Sequence, residues 1–186
     1  MITVQRTRGT GTFSRSPAIS QEAQKAVNSW PRPRLSNPIH LLAFGFGSGL
    51  SPRAPGTVGT LAALPVYWVI APLSLWAYTG IVLVAALIGI WICERSSAAL
   101  GVHDHPGIVW DEFVGLWIAL WAVPVEPTWI VAGFFVFRLF DIAKPWPIGW
   151  LDRNARGGLG IMVDDIVAGV MACACIHLAL YLVPTL

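Results

Sequence analysis

Forty consecutive residues, 54–93, contain no Asp, Glu, Lys or Arg, and a further 21, residues 166–186, are equally free of them. A helix that crosses the hydrocarbon core of a bilayer needs about 20 apolar residues. The first run has room for two such helices and the second for one. Only 12 % of the chain is charged, about half the usual ~25 %. The integral-membrane reading is therefore preferred to a soluble helical protein with an unusually apolar core. Ten Trp against three Tyr fit either reading, although Trp favours membrane interfaces.

Prolines, glycines and polar clusters divide the apolar sequence into helices expected at residues 58–71, 75–93, 106–123, 128–143 and 161–183. Gly45, Gly47 and Gly49, followed by Pro52 and Pro55, cannot sustain a regular helix and read as a loop. Thr57 is the expected cap of the first helix, and Asp104 or His105 of the third. Asp111 and Glu112 then fall in the second turn of the third helix. Asp164 and Asp165 fall in the first turn of the last, where the helix dipole favours them. Residues 144–160 read as a basic loop. The expected fold is all-α: a polytopic membrane helix bundle of four to five apolar helices with a polar site at their cytoplasmic ends.

The net charge of +2 conceals an asymmetry. Residues 1–37 hold Arg6, Arg8, Arg15, Lys25, Arg32 and Arg34 against Glu22 alone. This stretch has no apolar segment of the secretory kind. It reads as a disordered basic cytoplasmic tail that meets anionic headgroups, ahead of a membrane-embedded domain at residues 38–186. Its Arg-rich, acid-poor character is also that of an organellar transit peptide. Membrane lipids are the expected partners, nucleic acid is not, and oligomeric state stays open.

Basic residues concentrate on the cytoplasmic side of membrane proteins. That rule places the tail, Arg53, Arg95 and the Arg138–Arg156 cluster inside, and the turns at Pro72 and Pro124–Pro127 outside. The apolar parts of helices three and four, 113–125 and 127–137, are short for full spans. They carry polar residues into the interface or form a re-entrant hairpin. A single span over 113–137 is the alternative; it strands Glu126 in lipid and exports the basic cluster. Cys93, Cys173 and Cys175 lie in apolar runs with no metal-binding spacing and read as buried free thiols.

Seven of the ten acids occupy short polar islands: Asp104, Asp111, Glu112, Asp141, Asp152, Asp164 and Asp165. Carboxylates beside hydrocarbon are costly unless they bind metal, pair with cations or line a polar cavity. Gly115, Ala168 and Gly169 lie four residues beyond them and let helices approach closely. Oxygen donors without Cys favour Mg²⁺. Asp111, Glu112, Asp164 and Asp165 are the candidate metal ligands. Together with Asp141 and Lys144 they form the candidate catalytic set. Ser48, Arg53, Arg138, Lys144 and Arg153 are the candidate phosphate-holding residues. Arg138, Asp141 and Lys144 recur at i, i+3 and i+6 and are expected on one helix face. His103 and His105 read as capping or interface residues before metal ligands. His40 and His177 read as structural. Gly45-Phe46-Gly47-Ser48-Gly49 has the makings of a phosphate nest but lacks the Lys-Ser/Thr ending of a P-loop.

Four blocks carry a family resemblance. They are Gly47-Ser48-Gly49-Leu50-Ser51-Pro52 with Ala54-Pro55-Gly56-Thr57; Val102-His103-Asp104-His105 with Ile108-Val109-Trp110-Asp111-Glu112-Phe113-Val114-Gly115; Phe137-Arg138-Leu139-Phe140-Asp141 with Lys144-Pro145-Trp146-Pro147-Ile148; and Gly157-Gly158 with Gly160-Ile161-Met162-Val163-Asp164-Asp165-Ile166-Val167-Ala168-Gly169. In this order, over residues 37–181, they resemble the phosphatidylglycerophosphatase A family. The resemblance implies a bacterial inner-membrane, Mg²⁺-dependent phosphatase that converts phosphatidylglycerophosphate to phosphatidylglycerol. It also implies one compact all-helical domain, the form of the family's soluble relatives. Water or a carboxylate is the nucleophile; neither Asp111 nor Asp141 begins an Asp-x-Asp pattern, which favours water without deciding between them. Two other readings compete. A CDP-alcohol phosphotransferase requires a Gly where Arg153 stands. A small cation transporter is expected to hold acids mid-helix in the long charge-free runs.

Overall fold

The computed structural model describes residues 30–102 and 105–182. The expectations for residues 1–29, for His103 and Asp104, and for residues 183–186 lie outside the described residues. Among the described residues the elements are seven α-helices and one irregular 3-10 segment, with no strand.

Local chemistry sets the start of each early helix. Asn37 accepts a hydrogen bond from the Ile39 amide at 3.0 Å and caps α1, Pro38–Ala43. The 3-10 segment Gly45–Leu50 follows, with positive φ at Gly45, Phe46 and Gly47. Helix α2, Pro55–Ile70, begins three residues before the position expected. Its start is Pro55, whose missing amide N–H suits the first helical position, not a Thr57 cap. Helix α3, Leu75–Leu100, is capped by Ser74 and ends at Gly101 in the left-handed conformation. It runs seven residues past the expected end, through Glu94, Arg95, Ser96 and Ser97. Ser96 and Ser97 are buried and satisfied: Ser96 Oγ bonds His40 Nδ1 at 2.8 Å, and Ser97 Oγ donates to the Val102 carbonyl.

Helix α4, Trp110–Ala119, is shorter than expected. Residues 106–109 are instead held as a turn, with the Ile108 amide on the His105 carbonyl and the Val109 amide on that of Ala43. Asp111 and Glu112 consequently lie in the first turn of α4. Helix α5, Pro127–Ala143, stops at Lys144 in the left-handed conformation, just ahead of Pro145. The expected basic loop contains a helix, α6, Ile148–Asn154. Helix α7, Gly157–Leu182, starts four residues early. Asp164 and Asp165 are thereby moved from the first turn to the third, beyond the reach of the end-dipole effect.

The core forms around α4, which packs against α2, α3, α5 and α7. Phe113, Val114, Leu116 and Ala119 are fully buried on it. Residue size sets the crossing with α7: a Cβ at Gly169 would lie 2.4 Å from the Gly115 carbonyl. By contrast, α3 turns Leu83, Val84, Leu87, Ile88 and Trp91 outward. Two helices, α3 and α7, are long and apolar enough to cross a membrane, and only 28 % of the apolar window of α3 is buried inside the protein. Helix α4 has ten residues, about 15 Å at 1.5 Å per residue, half of the ~30 Å hydrocarbon core. It is an internal helix and does not itself span. Trp68, Val69, Trp76, Val131, Phe135 and Leu178 are also exposed on the flanking helices. An apolar surface of this extent marks membrane association.

Candidate active site

At one end of the bundle, a cleft of about 190 Å³ is lined by His105, Asp111, Glu112, Asp141, Lys144, Asp152, Asp164 and Asp165, among others. Four elements deliver its charged groups. The first turn of α4 brings Asp111 and Glu112. The end of α5 brings Asp141 and Lys144, α6 brings Asp152, and the third turn of α7 brings Asp164 and Asp165.

Carboxylate oxygens of Asp111, Glu112 and Asp165 all lie within 4.8 Å of one another. Burial pushes the Asp111 carboxyl well above the ordinary carboxylate range, and the adjoining Glu112 adds to the shift. Glu112 is raised chiefly by burial to about 8, although its hydrogen bond with Asp111 and the nearby Arg138 oppose this. Glu112 Oε2 is buried and has no hydrogen-bond partner among the described residues, and the same holds for Asp164 Oδ1. Buried oxygens without partners are costly, and here they are grouped with further carboxylates. This donor set fits a hard divalent cation that takes oxygen ligands.

Asp164 differs from its neighbour. Its Oδ2 accepts a 2.7 Å bond from Lys144 Nζ, which also pairs with Asp152. Burial disfavours the ammonium, but the bonds to Asp152 and Asp164 outweigh it and hold the Lys144 pKa above that of an ordinary lysine. Lys144 is therefore a fixed positive charge on the cleft. It does not share a helix face with Arg138 and Asp141, because the left-handed turn at Lys144, φ 43, sends its side chain toward α6 and α7.

Arg138 stands behind the carboxylates and outside the lining of the cleft. It pairs with Asp141, reaches Glu112 Oε1 at 3.8 Å and donates to Thr60 Oγ1 at 3.5 Å. The first turn of α2 presses on this cluster: a Cβ at Gly56 would lie 2.3 Å from Glu112 Oε1 and 3.2 Å from the Arg138 guanidinium. Gly56 is what allows that approach.

Three further expected phosphate contacts, besides Arg138, lie outside the cleft lining. Ser48 donates its hydroxyl to the Gly45 carbonyl at 2.8 Å. Arg53 and Arg153 are exposed. His105 has a more definite place than its sequence context implied. It is buried, its Nδ1 accepts from the Gly107 amide at 3.0 Å, and its Nε2 faces the Pro31 carbonyl at 3.1 Å. Both ring nitrogens are engaged by backbone, so His105 braces the cleft wall and is not a metal ligand. Glu94 was missed as well. It accepts the Gly158 amide and caps α7 from the end of α3. A Glu inside an expected interhelical linker gives no sign of a partner 64 residues away.

A family description, "Phosphatidylglycerophosphatase A", matches residues 41–180. The chain is 51 % identical over 147 residues to phosphatidylglycerophosphatase A of Escherichia coli K12, covering 78 % of this chain and 86 % of that protein. It is 48 % identical over 142 residues to phosphatidylglycerophosphatase A of Haemophilus influenzae, covering 74 % and 86 %. A Bacteroides thetaiotaomicron protein, named as a candidate phosphatidylinositol-3-phosphatase, is 38 % identical over 152 residues, covering 77 % and 94 %. No solved structure matches the chain. The family match spans the cleft and every helix that builds it, and the chain belongs to the phosphatidylglycerophosphatase A family.

Proposed function

We propose that the chain is a Mg²⁺-dependent lipid phosphatase that converts phosphatidylglycerophosphate to phosphatidylglycerol and inorganic phosphate. We place it in the bacterial inner membrane with the cleft facing the cytoplasm. The observation that carries this reading is a small acidic cleft with one fixed ammonium, at the end of a bundle of outward-facing apolar helices, in a chain of this family. The cleft is smaller than the ~300–1,000 Å³ of sites that enclose a drug-sized ligand. It admits a terminal phosphate and leaves acyl chains in the bilayer.

In this reading Asp111, Glu112 and Asp165 hold the cation, with Asp164 beside them. The chemistry that Mg²⁺ supplies when bound is neutralisation of phosphoryl oxygens and a lower pKa for the attacking water. Lys144 holds a non-bridging phosphate oxygen, and its raised pKa keeps it charged for that task. Arg138 keeps Glu112 and Asp141 oriented from behind. Water supplies the entering oxygen, the bond from phosphorus to the glycerol oxygen breaks, and that oxygen leaves with a proton. Arg53, Arg153 and the basic residues 1–37 favour an anionic membrane surface. Helices α3 and α7 span the membrane, and α2 and α5 complete the bundle from the cytoplasmic side or as shorter spans.

The deciding experiment is phosphate release in mixed micelles, comparing kcat/KM for four substrates with Mg²⁺ and with chelator. These are phosphatidylglycerophosphate, phosphatidic acid, phosphatidylinositol 3-phosphate and p-nitrophenyl phosphate. The first should be turned over far more efficiently than the rest, and only with Mg²⁺. Equal efficiency on phosphatidic acid would reduce the assignment to a general lipid phosphatase. Faster turnover of p-nitrophenyl phosphate would overturn the lipid-substrate argument.

A further inference from the structure

A lipid whose phosphate enters the cleft must lay its acyl chains against the outside of the bundle. Lipid tails are as apolar as leucine, so an exposed apolar face adds little affinity over bulk lipid. What such a face supplies is position, and it does so only where it leads into the cleft. Helices α2 and α3 contribute none of the cleft's lining residues. Helix α7 contributes Asp164 and Asp165, but past them its large exposed apolar side chains are sparse, Val170 and then Leu178.

Helix α5 is different. Asp141 near its end and Lys144 just past it line the cleft. Val131, Phe135, Leu139 and Ile142 are all exposed on it, at i, i+4, i+8 and i+11, which is one helix face. Trp129, Ile130, Gly133 and Phe137 are buried on the other side, so the exposed stripe points away from the protein. Ile142 directly follows Asp141, and the stripe therefore ends at the cleft wall. From Val131 to Ile142 the helix rises ~16 Å at 1.5 Å per residue. One leaflet supplies ~15 Å, half of the hydrocarbon core. The stripe is thus as long as an acyl layer is deep, and α5 packs on α7, a helix long enough to cross the membrane. Past the cleft end, Trp146 is 83 % exposed, and Trp favours headgroup depth.

We infer that the outer face of α5 is the acyl-chain subsite of the lipid substrate. One chain lies along Val131, Phe135, Leu139 and Ile142, the glycerol backbone meets Trp146, and the terminal phosphate turns in toward Lys144, the one cation among the cleft's lining residues. The inference rests on the phosphatase reading for the phosphate in the cleft. The competing location is an apolar groove of about 520 Å³ between α3 and α4, lined by Gly80, Ile81, Val84 and Trp117 among others. None of its lining residues also lines the cleft.

The test is photolabelling of the full-length protein in vesicles. Two probes, phosphatidylglycerophosphate and phosphatidylcholine, carry a diazirine midway along one acyl chain, and mass spectrometry of peptides locates the label. The phosphatidylglycerophosphate probe should label residues 131–142 several-fold more than the choline probe, and excess unlabelled phosphatidylglycerophosphate should remove the difference. Equal labelling by both probes would make α5 a bulk-lipid contact and overturn the subsite. Selective labelling of residues 77–88 would overturn it in favour of the α3 groove. Ile142→Gln should raise KM several-fold for a long-chain substrate, spare kcat and leave KM for a dibutyryl analogue unchanged, whereas Leu87→Gln on α3 should change neither. An equal rise for both substrates would overturn the role of Ile142 in holding the chain. Phosphate release by the wild type without selective labelling of α5 would overturn the subsite alone. Absence of release from phosphatidylglycerophosphate would overturn the phosphatase reading itself. Labelling of the wild type decides the question even if a variant fails to fold.

Discussion

Lys144 leaves α5 with φ 43, a conformation that costs a residue with a Cβ roughly 1 kcal/mol or more. The strained turn aims the ammonium at Asp152 and Asp164. Backbone and charge can be separated by mutation. Lys144→Gly should raise thermal stability relative to Lys144→Met, because Gly takes the left-handed turn without strain. Both should lose about 10²-fold or more in kcat/KM, the scale expected for a phosphate contact. Melting curves in detergent beside phosphate-release kinetics check the pair. For the carboxylates, Asp111→Asn, Glu112→Gln and Asp165→Asn should each lower kcat by at least ~10²-fold. Arg53→Ala and Arg153→Ala should instead raise KM on anionic vesicles and spare kcat, because both side chains are exposed away from the cleft. Normal kcat in all three acid variants would remove those residues from the site.

Among the elements, the tight spots are glycines where two segments touch. Gly56→Ala would drive a methyl group into Glu112 and Arg138. It should cost activity more than stability, since the far ends of those side chains give way and lose their alignment. Gly169→Ala meets the backbone carbonyl of Gly115 instead. It should destabilise the fold by about 1–3 kcal/mol, the range for overpacking, as read from the midpoint of unfolding. The same elements show what the sequence reveals. Convergence of the polar islands was legible because carboxylates avoid hydrocarbon. Close helix approach was legible from Gly115 and Gly169. Helix ends were not. Glu94 to Leu100 look like a linker but continue α3, because His40 and the Val102 carbonyl satisfy the buried serines from outside the helix. The early start of α7 depends on Glu94 reaching the Gly158 amide. The different partners of Asp164 and Asp165 follow from a single backbone turn at Lys144. No spacing rule contains that turn.

For the whole molecule, α3 and α7 govern how the bundle sits in a bilayer. If α3 and α7 both cross, the end of α3 and the start of α7 share one side, since Glu94 joins them. Reporters placed near Arg95 and near Arg153 should then both read as cytoplasmic. A periplasmic reading at Arg153 would separate the Lys144–Asp152 pair from α3 and break the proposed orientation. Chelation with EDTA should abolish turnover, and Mg²⁺ should restore it. Full turnover in chelator would remove the metal from the reaction.

The division of the carboxylates between α4 and α7 also orders events in time. Asp111 and Glu112 leave the ribosome more than 40 residues ahead of Asp164 and Asp165. Until α7 docks, the Gly115 carbonyl lacks the close approach of Gly169, Lys144 has only Asp152 to hold, and the cluster around Glu112 lacks its third acid. On the proposed assignment, a chain that ends before α7 has no Asp164 or Asp165 and should release no phosphate. Catalytic competence and completed assembly then become the same event.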